Sequence, residues 1–207
     1  MSARAIRGTA RTALLDAALG LIRTRGFAAT SVDDLCAAAG VTKGAFFHHF
    51  SNKEALAVAA TEHWTEVTGA AFNDAPYHRA DDPLERVIGY LEFRKAILQG
   101  ELPDYTCLLG TMVQETYADS PAIRAACHTG ITAHAATLEP DIAAAMAAHG
   151  VTGITPESFA LHTQAVIQGA FILAKAKNDT AIAAETIDHL IRYTRLLFGQ
   201  PASQGEN

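Results

Sequence analysis

The chain has little that disulfides, metals or membranes could use. Its three cysteines, Cys36, Cys107 and Cys127, are odd in number and none falls in a CxxC, which argues against both a disulfide framework and a thiolate zinc site. The nine His are scattered, no HExxH occurs, and no Ser or Cys lies in a recognisable nucleophile elbow. The expectation is therefore a protein that is not an enzyme and needs no cofactor. No stretch approaches the roughly 18 uninterrupted apolar residues a membrane span requires, and the opening MSARAIRG lacks the apolar run of a signal peptide. A cytoplasmic protein with no membrane partner is expected. Charge is also scarce, 18% of residues against 49% hydrophobic. A chain of 207 residues with that apolar content can bury a core without covalent staples, and the low charge leaves apolar surface for self-association.

What charge there is divides unevenly. From Met1 to Lys53 seven Lys or Arg face three Asp, a net of +4; from Glu54 onward nine face nineteen, a net of −10. A basic end on an acidic body is the asymmetry of a nucleic-acid-binding module joined to a regulatory one. A purely structural helical dimer would account for the apolar body but not for the basic end.

The densest local signal is Thr30 to Leu56, TSVDDLCAAAGVTKGAFFHHFSNKEAL. Ser31 and Asp34 have capping-box spacing, predicting a helix from near Val32 with Leu35 and Ala38 or Ala39 facing inward. Gly40 is free to take the left-handed conformation that ends this helix and starts a sharp turn, with Val41 plugging the core beneath. Thr42 caps a second helix, Lys43 to His49, whose Phe46 and Phe50 share an inward face. Ser51 with Glu54 predicts a further capping box opening the next helix. Two short helices joined by a Gly turn make a helix-turn-helix, whose second member is built to enter the DNA major groove.

The segment GVTKGAFFHHFSNKEAL resembles, almost residue for residue, the signature of the TetR family of bacterial repressors, and the resemblance extends from about Thr9 to Leu56. It implies an all-α fold: a three-helix DNA-binding domain over 1–53, a larger helical effector-binding and dimerisation domain over 54–199, and a disordered tail over 200–207. In this resemblance Thr42, Lys43 and Gly44 start the recognition helix, where side chains reach base edges and the helix N-terminus can hold a phosphate. Lys43 is the residue expected on a base, most simply guanine O6 or N7. His48, His49 and Lys53 match positions that touch phosphates or bases. Ser31, and Arg7 on a mobile N-terminal arm with Arg4, complete the expected DNA contacts. Phe47 departs from the family, which commonly has Tyr there with its hydroxyl on a phosphate, so one positioning bond is lost. Asp33, near a base-reading position, would repel phosphate; it can accept from a cytosine amino group or cap its own helix.

Around the motif the pattern reads as about nine helices in all. The first runs from about Ala10 to Arg25 with Gly26 as its stop, and the fourth from Lys53 to about Phe72. Asp82 and Pro83 open a fifth. A sixth spans about Asp104 to Ala118, and a seventh runs from Ser120 towards His149 with Pro140 kinking or breaking it. Thr155 and Pro156 open the eighth, and Thr180 caps the ninth.

The resemblance implies that the last two helices pair with those of a second copy into a four-helix bundle, with a double-stranded DNA operator and a small-molecule effector as further partners. Effector-binding candidates are Trp64, Tyr90, Arg94 and Cys107, together with Met112, Glu115, Gln168 and Phe171; the fourth helix is expected to carry their signal to the motif. CLLGTMVQETYADSPAIRAAC also resembles a TetR subgroup containing electrophile sensors, which implies an alternative switch by covalent modification of Cys107 instead of reversible binding.

Overall fold

The computed structural model describes the backbone of residues 3–199 and the side chains from residue 10 onward. Ser2, the side chains of Arg4 and Arg7, and the tail over 200–207 lie outside the described residues. Within them the chain is helical, with no strand: α1 (Ala3–Arg25), α2 (Val32–Ala39), α3 (Lys43–His49), α4 (Lys53–Asn73), a 3-10 turn (Pro76–Arg79), α5 (Pro83–Ala96), α6 (Leu102–Tyr105), α7 (Leu108–Thr116), α8 (Pro121–Ala136), α9 (Glu139–His149), α10 (Pro156–Lys177) and α11 (Ala181–Leu197).

The helix starts follow local chemistry. Ser31 and Asp34 form a reciprocal capping box on α2, Gly40 closes it at φ 64°, and Thr42 accepts from the backbone N–H of Ala45 to start α3. Asp82 caps α5 with Pro83 in its first turn, and Thr155 caps α10 with Pro156.

Other starts differ from the sequence reading. The backbone at residues 3–8 belongs to α1 and forms no separate arm. Asn52, not Ser51, caps α4 by accepting from Ala55 N–H at 2.8 Å, because Glu54 turns away to bond the Ser120 hydroxyl. Thr180 makes no capping bond; the Asp179 carboxylate accepts from Ala181 N–H instead. The expected sixth helix is split into α6 and α7, since Cys107 has extended backbone (φ −76°, ψ 125°) and itself caps α7. Pro140 breaks its helix, which ends at Ala136 and restarts at Glu139 with the proline in the first turn, where a missing N–H costs nothing.

Two compact units result. The first joins the residues up to Ala70 with Thr106–Ile131. Its core is Leu14, Leu15, Leu19 and Ile22 of α1, Leu35 of α2, Phe46 and Phe50 around α3, and Leu56 of α4, closed by Leu108, Met112, Ile123 and Cys127 from α7 and α8. Each fully buried side chain of this size stabilises by about 1.5 to 3 kcal/mol, so α7 and α8 are part of what holds the helix-turn-helix together. The second unit joins Ala71–Tyr105 with the residues from Thr132 on. Its core comes from Leu84, Val87, Ile88 and Leu91 of α5, Ile142 of α9, Phe159 and Ile167 of α10, and Ile187 and Leu190 of α11. Both α4 and α8 run from one unit into the other.

Candidate nucleic-acid interface

The inward face of α3 is spent on Phe46 and the following Phe50, both buried. That leaves Lys43, Gly44, Phe47 and His48 exposed on the opposite face, at successive-turn spacing, with Thr42 exposed ahead of them. Phe47 is 56% exposed, a large apolar ring in water at the centre of this face. His49 is half-buried, its ring edge-on to that of His48 at 5.0 Å.

The strongest local electrostatic feature is an exposed ion pair: Lys43 Nζ lies 2.7 Å from Asp33 Oδ1, and this bond raises the Lys43 pKa. Asp33 therefore neither caps its helix nor stands free. It holds the Lys43 ammonium in an ion pair between α2 and α3. Asp34 does the capping, and bonds from the Ser31 hydroxyl and backbone N–H, then from Arg25, hold its carboxyl at about 2. The Ser31 hydroxyl is taken up in this box, donating to Asp34 Oδ2 and accepting from Asp34 N–H.

Lys53 also departs from expectation. Its ammonium is half-buried, donating to the carbonyls of Phe27 and Thr30 at 3.0 Å each and lying 4.2 Å from the centre of the Phe27 ring. Burial pushes its pKa down. It stitches the turn between α1 and α2 to the start of α4, a role that competes with phosphate binding. Glu115, expected at an effector, clamps the same turn from α7: its carboxylate accepts from Phe27 N–H at 3.2 Å and Ala28 N–H at 2.8 Å. Gly26 has φ 91°, which favours glycine, and a Cβ there would push the Glu115 carboxylate from its place. The turn that delivers the helix-turn-helix is thus held by a cation on its carbonyls and an anion on its N–H groups. No sequence signal pointed to this, because Glu115 lies far along the chain from its partners.

The effector candidates divide between the units. In the first, Met112 is fully buried core, and Trp64 lies under the Arg23 guanidinium at 4.8 Å. Cys107 is half-buried with Sγ accepting from Gly110 N–H at 3.5 Å. Buried Cys127 has its thiol pushed up to about 12, by burial first and then by Cys107. In the second unit Tyr90 Oη is 3.0 Å from His134 Nε2 and accepts from Gln164 Nε2 at 2.9 Å, a bonded set deep among Phe72, Tyr77 and Phe93. Burial, then the charge of Arg94, pushes the His134 pKa down to about 4, so the ring is neutral near pH 7. The Arg94 guanidinium stands over Phe72 at 5.2 Å and Phe171 at 5.7 Å, and Gln168 is half-buried one helical turn beyond Gln164. Phe72, Tyr77 and Gln164 were not foreseen; they come together through the 3-10 turn packed on α5 and through Gln164 of α10 reaching Tyr90.

Among the described residues no group of His, Cys, Asp or Glu could hold a metal ion, and no helix is long and apolar enough to cross a membrane.

Comparison with known proteins agrees with the geometry. Residues 14–60 match the model for bacterial regulatory proteins of the tetR family, and residues 83–188 match the C-terminal domain of LmrA/YxaF-like transcriptional regulators. The chain is 48% identical over 46 residues to the transcriptional repressor KstR2 of Rhodococcus jostii, covering 22% of each protein. It is 37% identical over 75 residues to the transcriptional repressor Rv3405c of Mycobacterium tuberculosis, covering 36% of this chain and 40% of that protein. These matches span well under half the length of the curated relatives. In fold the chain is similar to the reduced form of E. coli NemR (TM-score 0.77, 23% identity, 93% of this chain and 99% of that one). It is also similar to a TetR transcriptional regulator from Chloroflexus aurantiacus (TM-score 0.79, 22% identity, 94% and 96%). With a helix-turn-helix presenting a basic, solvent-facing second helix and both family models matched, the chain belongs to the TetR family of bacterial transcriptional regulators, DNA-binding proteins and not enzymes.

Proposed function

We propose that the protein is a repressor that binds a palindromic operator as a homodimer and is released by a small molecule held in its C-terminal part. The observation that carries this reading is the outward face of α3, where Lys43, Gly44, Phe47 and His48 are exposed. One such face offers few contacts, and two of them spaced by about 34 to 36 Å, one turn of DNA, would read a palindrome. An apolar stripe supports the pairing: Leu161, Ile172 and Leu173 of α10 with Tyr193 and Leu196 of α11 are all exposed. Residues 1–53 would form the DNA-binding part and 54–199 the effector and dimerisation part. Purified protein shifting its own promoter DNA in the presence of excess competitor tests the reading, and no shift beyond that of random DNA would contradict it.

The effector acts only through differential affinity for two states. A change from almost full occupancy of the operator to almost full release needs about 5 kcal/mol, more than one neutral hydrogen bond gives. The continuous helices α4 and α8 are helical routes for such a signal. Cys107 supports a second reading, covalent switching, because it is the least buried of the three thiols. Operator release by a thiol-reactive electrophile, compared between wild type and Cys107→Ser, separates the two. Equal release with no adduct at Cys107 removes the covalent route.

A further inference from the structure

The basic residues of α5 are not treated alike. Arg86 donates to Asp141 of α9 at 2.6 Å, and Lys95 bonds both oxygens of Asp188 of α11 at 2.7 and 2.8 Å. From α11, Arg195 reaches back to Glu85 of α5 at 3.3 Å. Arg94 is flanked by these matched pairs and has no carboxylate or hydrogen-bond acceptor among the described residues. Two buried aromatic rings, Phe72 and Phe171, take that place. Rings attract the cation through their faces, but they accept none of the five N–H bonds that lie in the guanidinium plane. A half-buried guanidinium standing over two aromatic rings, its N–H donors without an acceptor among the described residues, is suited to receive a planar oxyanion.

The surroundings have the same character. Arg94 lies one turn beyond Tyr90 on α5, and Phe171 lies on the same α10 face as Gln164 and Gln168. Gln164 bonds Tyr90 while Phe171 stacks on Arg94, so the register sets Gln168 alongside, between these two contacts. The Gln168 amide likewise has no partner among the described residues. A cation and an amide with unspent donors thus lie beside a cluster of aromatic rings, Phe72, Phe93, Tyr77 and Tyr90.

We propose that Arg94 and Gln168 form the anion-recognising end of a binding site in the second unit, and that its ligand is an aromatic or otherwise apolar carboxylate. The carboxylate seats on the Arg94 edge and the apolar body lies against Phe72 and Phe171. This inference rests on the effector reading above and narrows it to one chemical class. It excludes quaternary or primary amines, which Arg94 repels.

The test is a matched panel, trans-cinnamate and 2-naphthoate beside their primary amides and the corresponding amines, titrated calorimetrically against wild type and the Arg94→Gln and Arg94→Lys variants. Wild type is expected to prefer each carboxylate over its amide by about tenfold or more, the usual scale of a charged hydrogen bond. Arg94→Gln abolishes that preference at unchanged melting temperature. Arg94→Lys, which keeps the charge but not the fork, retains part of it. Equal binding of acid and amide, or a preference that survives in Arg94→Gln, overturns the proposal. Amides or amines that bind and release operator where carboxylates do not would overturn the anion assignment and leave the effector reading standing. No binding by any member, together with no operator release, counts against both.

Discussion

Lys43 and Lys53 start successive helices, and their ammonium groups end in different worlds. Lys43 is exposed and paired with Asp33, whereas Lys53 is bound into the turn between α1 and α2. Lys43→Ala is expected to relax base preference at one position per half-site, by about tenfold or more. Lys53→Met is expected to destabilise the fold by about 1 to 3 kcal/mol with the salt slope of DNA binding unchanged, because a charged donor is withdrawn from two carbonyls. Chemical denaturation and binding at several salt concentrations distinguish them, and a lowered slope for Lys53→Met would show that it reaches phosphate after all. Phe47→Tyr is expected to tighten operator binding without altering sequence preference, by restoring a hydroxyl on the exposed ring. Titration of wild type and variant against the same operator panel checks it.

Asp34 sets a pH limit. Its folded value, about 2, lies below the ordinary 3.8, so its carboxylate stabilises the start of α2 fully above about pH 4 and loses that contribution as pH falls through about 2. Acid titration followed by the amide signals of α2 should show Asp34→Asn weaker than wild type at neutral pH and equal to it near pH 2. A constant gap across that window would contradict this assignment.

At the scale of elements, legibility tracked local chemistry. The Ser31 box, the Gly40 stop, the Thr42 cap and the Asp82 and Thr155 starts were readable because each is decided within a few residues. Pro140 announced a disruption, but whether the helix kinked or broke depended on Thr137 and Leu138 closing the preceding turn onto His134 and Ala135. Asn52 displaced Ser51 as a cap since Glu54 found a distant partner in Ser120, and no short window of sequence contains that competition. The α7 clamp was illegible for the same reason. Glu115→Ala leaves Phe27 and Ala28 N–H groups without their acceptor, and about 1 to 2 kcal/mol of stability should go with it. Operator affinity should fall further than that loss explains, since the turn positions α2 and α3. Hydrogen exchange at residues 26–30 checks this: unchanged protection would show that the clamp does not order the turn.

At the scale of the whole molecule, the DNA end was legible as a set of residues on one face because helical period and capping fix which side of α3 meets solvent. The effector end was not, since eight candidates chosen along four helices fell into two separate units, and only packing decides which of them are core. Met112 became core, Glu115 a clamp, and Arg94 a cation with no acid partner among the described residues. The proposed self-association would use exposed Leu161, Ile172 and Leu173 of α10 with Tyr193 and Leu196 of α11. Leu196, 64% exposed on α11, is the residue whose replacement by Glu should turn a dimer into a monomer and cost cooperative operator binding while leaving each unit folded.

The most direct test is sedimentation velocity of labelled promoter DNA titrated with the wild-type protein. The account predicts a complex of two protomers per site, formed on a palindrome with half-sites one helical turn apart and lost when either half-site is scrambled. A single protomer per site, or equal loading of the scrambled DNA, would contradict it.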